Sequence, residues 1–423
     1  MEVFKRQFKS GLRTVIIPKT TTPIVTVNIS YQVGSKDEKI GKTGLAHLFE
    51  HLMFEGTPNV PKGKFDQICS EAGGTNNAYT TYDWTTYYMT VPKTQLELAL
   101  WLEADRLYNF ELHQSVLDIQ KDVVTEEIYQ TVIDRPYGQW RDHLSTIAFR
   151  NDCSYSWEVQ GLIDDVRSVT LEDANEFRNK YYKPKNAVLT ICGDVEVEPT
   201  FNLIEKYFSE GNGTTDKIER NQFVPEMRLT GGVASYEDNV PHSAVFVSFH
   251  CAGFAEGRED YVAKVYTDIM ARGRSSKLYN SLVYEKEIAS HAGVFFDKRE
   301  NSSLLTFFII ANDNSTSCDE LYDAMMNEII SAKKSSFFAS DLERSKNYVK
   351  TIISGNFLKT GGIADLVSTK EMFENDPEAA FNLVEKYDAI TMEDIEQFME
   401  NRILEDKVIR VDVVPKPESD DEE

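Results

Sequence analysis

The sequence predicts an α+β fold of two structurally similar domains, each a mixed β-sheet packed with helices, related by internal duplication. Three observations carry that expectation. The chain has 423 residues, beyond the size at which a single hydrophobic core keeps growing. The order strand, helix, strand, long helices, strand is written twice along it. Between the two copies, from Gly211 to Gly232, the apolar periodicity fades and Gly, Thr, Asn and Pro gather as they do in linkers. The expected boundaries are a first domain at 1–210, a linker at 211–231, a second domain at 232–415 and an acidic tail at 416–423.

The elements follow in chain order. Arg13–Ile17 and Ile24–Tyr31 are rich in β-branched residues and read as strands. A helix is expected from about Thr43 to Glu55, stopped by Gly56. The Gly73-Gly74 turn leads into an extended run over Thr75–Thr80, and a second run over Thr85–Val91 completes a hairpin. Long helices are expected over Leu96–Tyr108 and Ser115–Ile133, a strand over Asn186–Cys192 and a helix over Pro199–Phe208. The second copy restarts with a strand at Ser243–Phe249 and a helix at Asp260–Met270. A strand at Leu304–Ile310, helices up to Arg402 and a last strand at Val408–Val413 complete it.

Composition narrows the function classes. The formal net charge of -24 repels phosphates, which argues against a nucleic-acid partner and favours, if anything, basic peptides. No run is long and apolar enough for a membrane span. The five cysteines are odd in number, scattered and without a CxxC pair, so neither a disulfide framework nor a thiolate metal site is expected. Reduced buried thiols suit a cytoplasmic protein, or a periplasmic or organellar one if a targeting segment has been removed. Gly361-Gly362 is too short to cradle a phosphate and reads as a local turn.

The sharpest chemical signal is Gly44-Leu45-Ala46-His47-Leu48-Phe49-Glu50-His51-Leu52. His47 and His51 are four apart, so a helix puts both imidazoles on one face, one turn apart, within reach of a single zinc ion. Glu50 lies beside them, placed to act on a water at that metal. Leu45, Leu48, Phe49 and Leu52 form the opposite, core-facing stripe. Chance produces this pattern in about two of a hundred sequences of such composition. The same spacing would also suit two core histidines satisfied by hydrogen bonds.

On these residues the sequence resembles the pitrilysin family of inverted-motif (HxxEH) zinc metallopeptidases, in the branch that includes processing peptidases. The resemblance covers nearly the whole chain. It implies a third zinc ligand far downstream, and Gln120-Lys121-Asp122-Val123-Val124-Thr125-Glu126-Glu127 matches that stretch with Glu127 as the ligand. Gln120 departs from the family, which usually has a second glutamate there, and Glu126 reads as a solvated carboxylate. Gly73–Thr80 resembles the family's G-G-x-x-N-A-x-T strand, which pairs with the substrate backbone; Asn77 and Ala78 are the candidate contacts. The text around Tyr155, Tyr181–Val188 and Gly273–Tyr279 also fits.

The implied activity is zinc-dependent endopeptidase action on peptides or unfolded segments held in extended form, with Glu50 as general base and acid. The second half carries no HxxEH, and His242, His250 and His291 have no partner at ligand spacing, so that half is expected to be inert. Active members of the family usually carry an Arg and a Tyr there; the aligned positions here are Tyr284 and Ser290. The pattern resembles the zinc-bearing subunit of a two-chain enzyme whose homologous partner lacks the zinc motif. A non-catalytic scaffold subunit and a self-sufficient homodimeric peptidase are the alternatives.

Overall fold

The computed structural model describes residues 1–209, 218–220, 229–334 and 337–417. Most of the expected linker at 211–231 and the acidic residues 418–423 lie outside the described residues. Two compact units are present, each assembled from three stretches of chain rather than one contiguous half. The first comprises Met1–Glu126, Glu158–Asn221 and Ile352–Leu383; the second comprises Glu127–Trp157, Gln222–Thr351 and Val384–Glu423.

The first unit holds a six-stranded sheet of β1 (Phe4–Gln7), β2 (Arg13–Pro18), β3 (Ile24–Tyr31), β4 (Thr75–Thr80), β5 (Thr85–Pro92) and β6 (Ala187–Gly193). Its spatial order is β1-β2-β6-β3-β5-β4. Only β2 and β6 run parallel; every other pair is antiparallel. The middles of β2 and β3 and the whole of β6 are buried, which is why Val15-Ile16-Ile17 and Val188-Leu189-Thr190-Ile191 read as continuous apolar or β-branched runs.

The second unit holds β7 (Gly232–Asp238), β8 (Ala244–Ala252), β9 (Ala289–Asp297), β10 (Ser302–Ala311) and β11 (Ile409–Pro415), in the order β7-β11-β8-β10-β9. β7 and β11 are parallel and the remaining pairs antiparallel. Matched in chain order, β2 through β6 and β7 through β11 share one connectivity and one pattern of strand directions. That identity is the topological mark of the expected duplication. Two strands of the second copy carry no clear sequence signal. β7 is an edge strand whose alternate residues are exposed, and it lies where the linker is expected to end. β9 is interrupted by Gly293, which the packing demands: a Cβ there would lie 2.4 Å from the Phe308 ring.

Each sheet is covered by a helix drawn from the other half of the sequence. Helix Thr360–Glu374 lies on β2, β3 and β6, and helix Trp140–Ala148 lies on the topologically matching β7, β8 and β11. The first cover is part apolar, with Ile363, Ala364 and Val367 packed on Val15, Ile17 and Cys192. The rest is polar: Thr360 and Ser368 hydroxyls bond those of Thr26 at 2.8 Å and Ser30 at 2.9 Å, and the fully buried Glu371 carboxylate meets Lys5 at 2.7 Å. The second cover is aromatic, with Trp140 stacked 4.4 Å from Phe246.

Ile363 is fully buried at the first of these junctions. Ile363→Ala should therefore cost about 3 kcal/mol, a large-to-small core change, read as a lowered urea midpoint by circular dichroism.

Candidate metal centre

The helix carrying the HxxEH text spans Leu45–Leu52. Leu45, Leu48, Phe49 and Leu52 recur at helical spacing and are buried, and the Phe49 ring packs 4.4 Å from that of Tyr182 and 5.6 Å from that of Phe110. His47, Glu50 and His51 take the less buried face. The two imidazoles lie edge to face with centroids 4.9 Å apart.

The helix start is fixed by a buried carboxylate. Glu38 accepts the backbone N–H of Gly44 at 2.9 Å and of Ala46 at 2.8 Å, satisfying two donors that a helix N-terminus leaves without intrahelical partners. Gly44 itself has φ +82° and sits against Gln160, whose carbonyl oxygen would lie 2.4 Å from a Cβ at position 44. Thr43 ties the same turn to Asp165 through its hydroxyl at 2.7 Å and accepts the Leu162 N–H at 2.9 Å. Beyond the helix, the Arg106 guanidinium lies over the rings of Tyr87 at 4.4 Å, Phe65 at 4.7 Å and Phe54 at 5.3 Å, and pairs with the buried Glu103 at 2.5 Å. Burial pushes the Glu103 carboxyl upward and Arg106 opposes it.

Helix Gln114–Ile128 is continuous through Glu126 and carries Glu127 in its last turn. Ligand atoms of His47, His51 and Glu127 all lie within 4.8 Å of one another. Among the described residues this is the only group of three or more His, Cys, Asp or Glu placed to hold a metal ion. Two imidazoles and one carboxylate are the donor types and number that catalytic zinc takes, leaving a fourth position for water. The donor set therefore fits zinc. Glu126, one residue earlier, is exposed. Gln120 is buried and bonded elsewhere. Its amide donates to the Glu55 carboxylate at 2.6 Å, and Glu55 also meets Lys62 at 2.5 Å.

β4 is one of the two edge strands of the first sheet. The Ala78 N–H donates to the Asn77 side-chain oxygen at 2.8 Å, which places that N–H on the strand's open side. Asn77 is exposed. The last residue of the strand, Thr80, donates its hydroxyl to Glu50 Oε2 at 2.5 Å. Nearby, the phenols of Tyr87 and Tyr182 lie 3.4 Å apart. Burial is the main force driving both pKa values well above the ordinary tyrosine range, and the Glu50 charge adds to it, so both hydroxyls stay protonated. No sequence motif singles out Glu38 or Glu55; Thr80 stands inside the edge-strand motif, but its partner is a helix residue 30 positions earlier.

In the second unit, helix Glu259–Ala271 offers Asp268 bridged by Lys264 at 2.8 Å and Arg272 at 2.9 Å, and Asp260 bridged by Lys298 at 2.6 Å. These are ion pairs, not a ligand set. His250 Nε2 bonds the Thr230 carbonyl at 2.9 Å, His242 Nδ1 bonds Asn314 at 2.8 Å, and His291 is exposed on β9. Tyr284 is 73% exposed, and the Ser290 hydroxyl donates to the Ala311 carbonyl at 3.0 Å.

Comparison with known proteins agrees with this architecture. Residues 13–156 match the family model described as Insulinase (Peptidase family M16), and residues 168–349 match that described as Peptidase M16 inactive domain. The chain belongs to peptidase family M16, the pitrilysin family. It is similar to the zinc protease PqqE of Helicobacter pylori, 28% identical over 365 residues that cover 85% of this chain and 81% of that one. A probable mitochondrial-processing peptidase subunit beta of Arabidopsis thaliana is 23% identical over 419 residues, 96% of this chain and 77% of that one. Cytochrome b-c1 complex subunit 1 of Bos taurus is 29% identical over 250 residues, 59% of this chain and 51% of that one. Among solved structures, a protease from Helicobacter pylori matches with TM-score 0.89 and 25% identity, covering 98% of this chain and 100% of that one.

Gly44→Ala should destabilise the site before it touches any ligand. A left-handed φ and a blocking carbonyl combine to cost about 2 kcal/mol, checked by thermal unfolding alongside zinc content.

Proposed function

We propose that the chain is a zinc-dependent endopeptidase acting on peptides or unfolded segments held in extended form, as the catalytic subunit of a two-chain enzyme. The observation that carries the reading is the convergence of His47, His51 and Glu127 beside Glu50 and the open edge of β4. A scaffold has no need of all four side chains in one place. The names of the Helicobacter pylori relatives, one a zinc protease and one a protease, support it.

His47, His51 and Glu127 would hold the metal. Zinc bound there would supply Lewis acidity and lower the pKa of water toward about 7. Glu50, adjacent to a ligand but not one itself, would take a proton from the attacking water on a carboxylate oxygen and return it to the leaving amine. β4 presents the backbone of Ala78 to an extended peptide, whose carbonyl replaces the Asn77 side chain on the Ala78 N–H. Gln120 holds Glu55 and takes no part in ligation.

The two-chain reading rests on Tyr284 and Ser290. Tyr284 carries no guanidinium fork, and the Ser290 hydroxyl is directed to the backbone of its own sheet. A homologous partner lacking the zinc motif would supply the missing groups, and preorganised groups of that kind carry much of a rate enhancement. The similarity to a cytochrome b-c1 complex subunit favours a second reading, a non-catalytic subunit, which metal and peptidase assays separate from the first.

Zinc should bind at about one per chain and be lost in His47→Ala, His51→Ala and Glu127→Gln, by elemental analysis. Glu50→Gln should keep the metal while peptide hydrolysis falls by roughly 10² or more. No metal in the reconstituted wild type, or undiminished turnover in Glu50→Gln, would count against the mechanism.

A co-expressed homologue without the motif should raise turnover of the purified chain. Full activity of the chain alone, unchanged by the second protein, would reject the two-chain reading.

A further inference from the structure

We propose that Thr80 is a positioning residue for the Glu50 carboxylate, tying the direction of the general base to the strand on which peptide adds. The proposal rests on the peptidase reading above. A glutamate side chain has three rotatable bonds, and the helix backbone alone does not settle where its carboxylate points. Here the Thr80 hydroxyl donates to Oε2 at 2.5 Å, the length of a charge-assisted O–H···O⁻ bond. Thr80 is partly buried. The Thr85 hydroxyl, fully buried opposite it on β5, donates to the Val33 carbonyl at 2.9 Å and approaches the Thr80 oxygen at 3.5 Å. With the Thr85 proton given to Val33, the short contact to Oε2 is where the Thr80 proton goes.

The strand end that carries Thr80 is held from its other face as well. Side chains alternate along a strand, so Tyr79 points opposite to Thr80. The Tyr79 hydroxyl donates to Asp365 on helix Thr360–Glu374 and accepts the Trp84 indole N–H at 3.2 Å. One face of the strand end is thereby fastened to the HxxEH helix and the other to the covering helix. Ala78, whose N–H lies on the open edge, is two residues earlier on the Thr80 face. A peptide registered on β4 is consequently registered against the carboxylate too, and Thr80 is the link.

The test compares zinc-loaded wild type, Thr80→Val and Thr80→Ser, with a partner chain where activity requires one. Thr80→Val keeps the shape and removes the donor. It should bind zinc as the wild type does and lose about 10- to 100-fold in kcat, with KM changed by less than about threefold. Thr80→Ser restores the hydroxyl and should recover kcat to within about threefold of wild type. A wild-type kcat in Thr80→Val overturns the proposal, and so does a Thr80→Ser variant as slow as the valine one, which would assign the effect to methyl packing. A second measurement stands apart from turnover. In metal-free protein, Thr80→Val and Glu50→Ala should lower Tm by amounts that do not add in the double variant; strictly additive shifts also overturn it. Should the wild type cleave no peptide with or without a partner, the peptidase reading falls and the catalytic role of Thr80 with it. The Tm cycle then reports whether the contact itself exists.

Discussion

Two backbone N–H groups at the start of the HxxEH helix end on one buried carboxylate, Glu38, and the candidate site depends on that contact. The helix is only eight residues long, too short to hold itself together in water. Its direction is set by the Glu38 cap, by Gly44 pressed against the Gln160 carbonyl, and by Phe49 wedged among aromatic rings. With those fixed, His47, Glu50 and His51 have little choice of direction. The hydrogen bonds from Gln120 to Glu55 and from Thr80 to Glu50 then bind the neighbouring helix and strand to it. Buried polar contacts of this kind are individually modest, yet each leaves a costly orphan if broken, so together they specify one geometry.

The duplication shows how one architecture supports unlike chemistry. Both units have the same strand connectivity and the same kind of covering helix. In the first, the less buried face of a short helix carries imidazoles. In the second, helix Glu259–Ala271 carries Asp260, Lys264 and Asp268, which neutralise one another and neighbouring cations. The fold places a helix; the polar residues it carries decide whether it can hold a metal.

Much of this was legible in the sequence because it is periodic or local. β3 over Ile24–Tyr31 and β4 over Thr75–Thr80 coincide with runs of strand-forming text, and the spacing of His47 and His51 needed only helical geometry. The place of Glu127 followed from family resemblance, since no local pattern links it to the histidines. β7 and β9 were not legible: β7 is an edge strand exposed on one face, and β9 contains a glycine whose purpose is a ring on the neighbouring strand. The division of the chain was harder still. The text reads as two halves, whereas the packing gives each unit a segment of the other half, and pairings such as Thr26 with Thr360 have no local signature. The same holds for the bond between Thr80 and Glu50, which exists only once strand and helix are docked.

The exchanged helices also impose an order on synthesis. Val15, Ile17 and Cys192 emerge from the ribosome before the helix that shields them, which is encoded at Thr360–Glu374. Between the synthesis of β6 and that of the helix, the first sheet has one face without its cover, the situation in which nascent chains recruit chaperones or aggregate. Tyr79, adjoining the residue that holds Glu50, likewise gains its Asp365 partner only when that late segment arrives. The edge strand beside the candidate metal centre therefore gains its last anchor well after its own residues have been made.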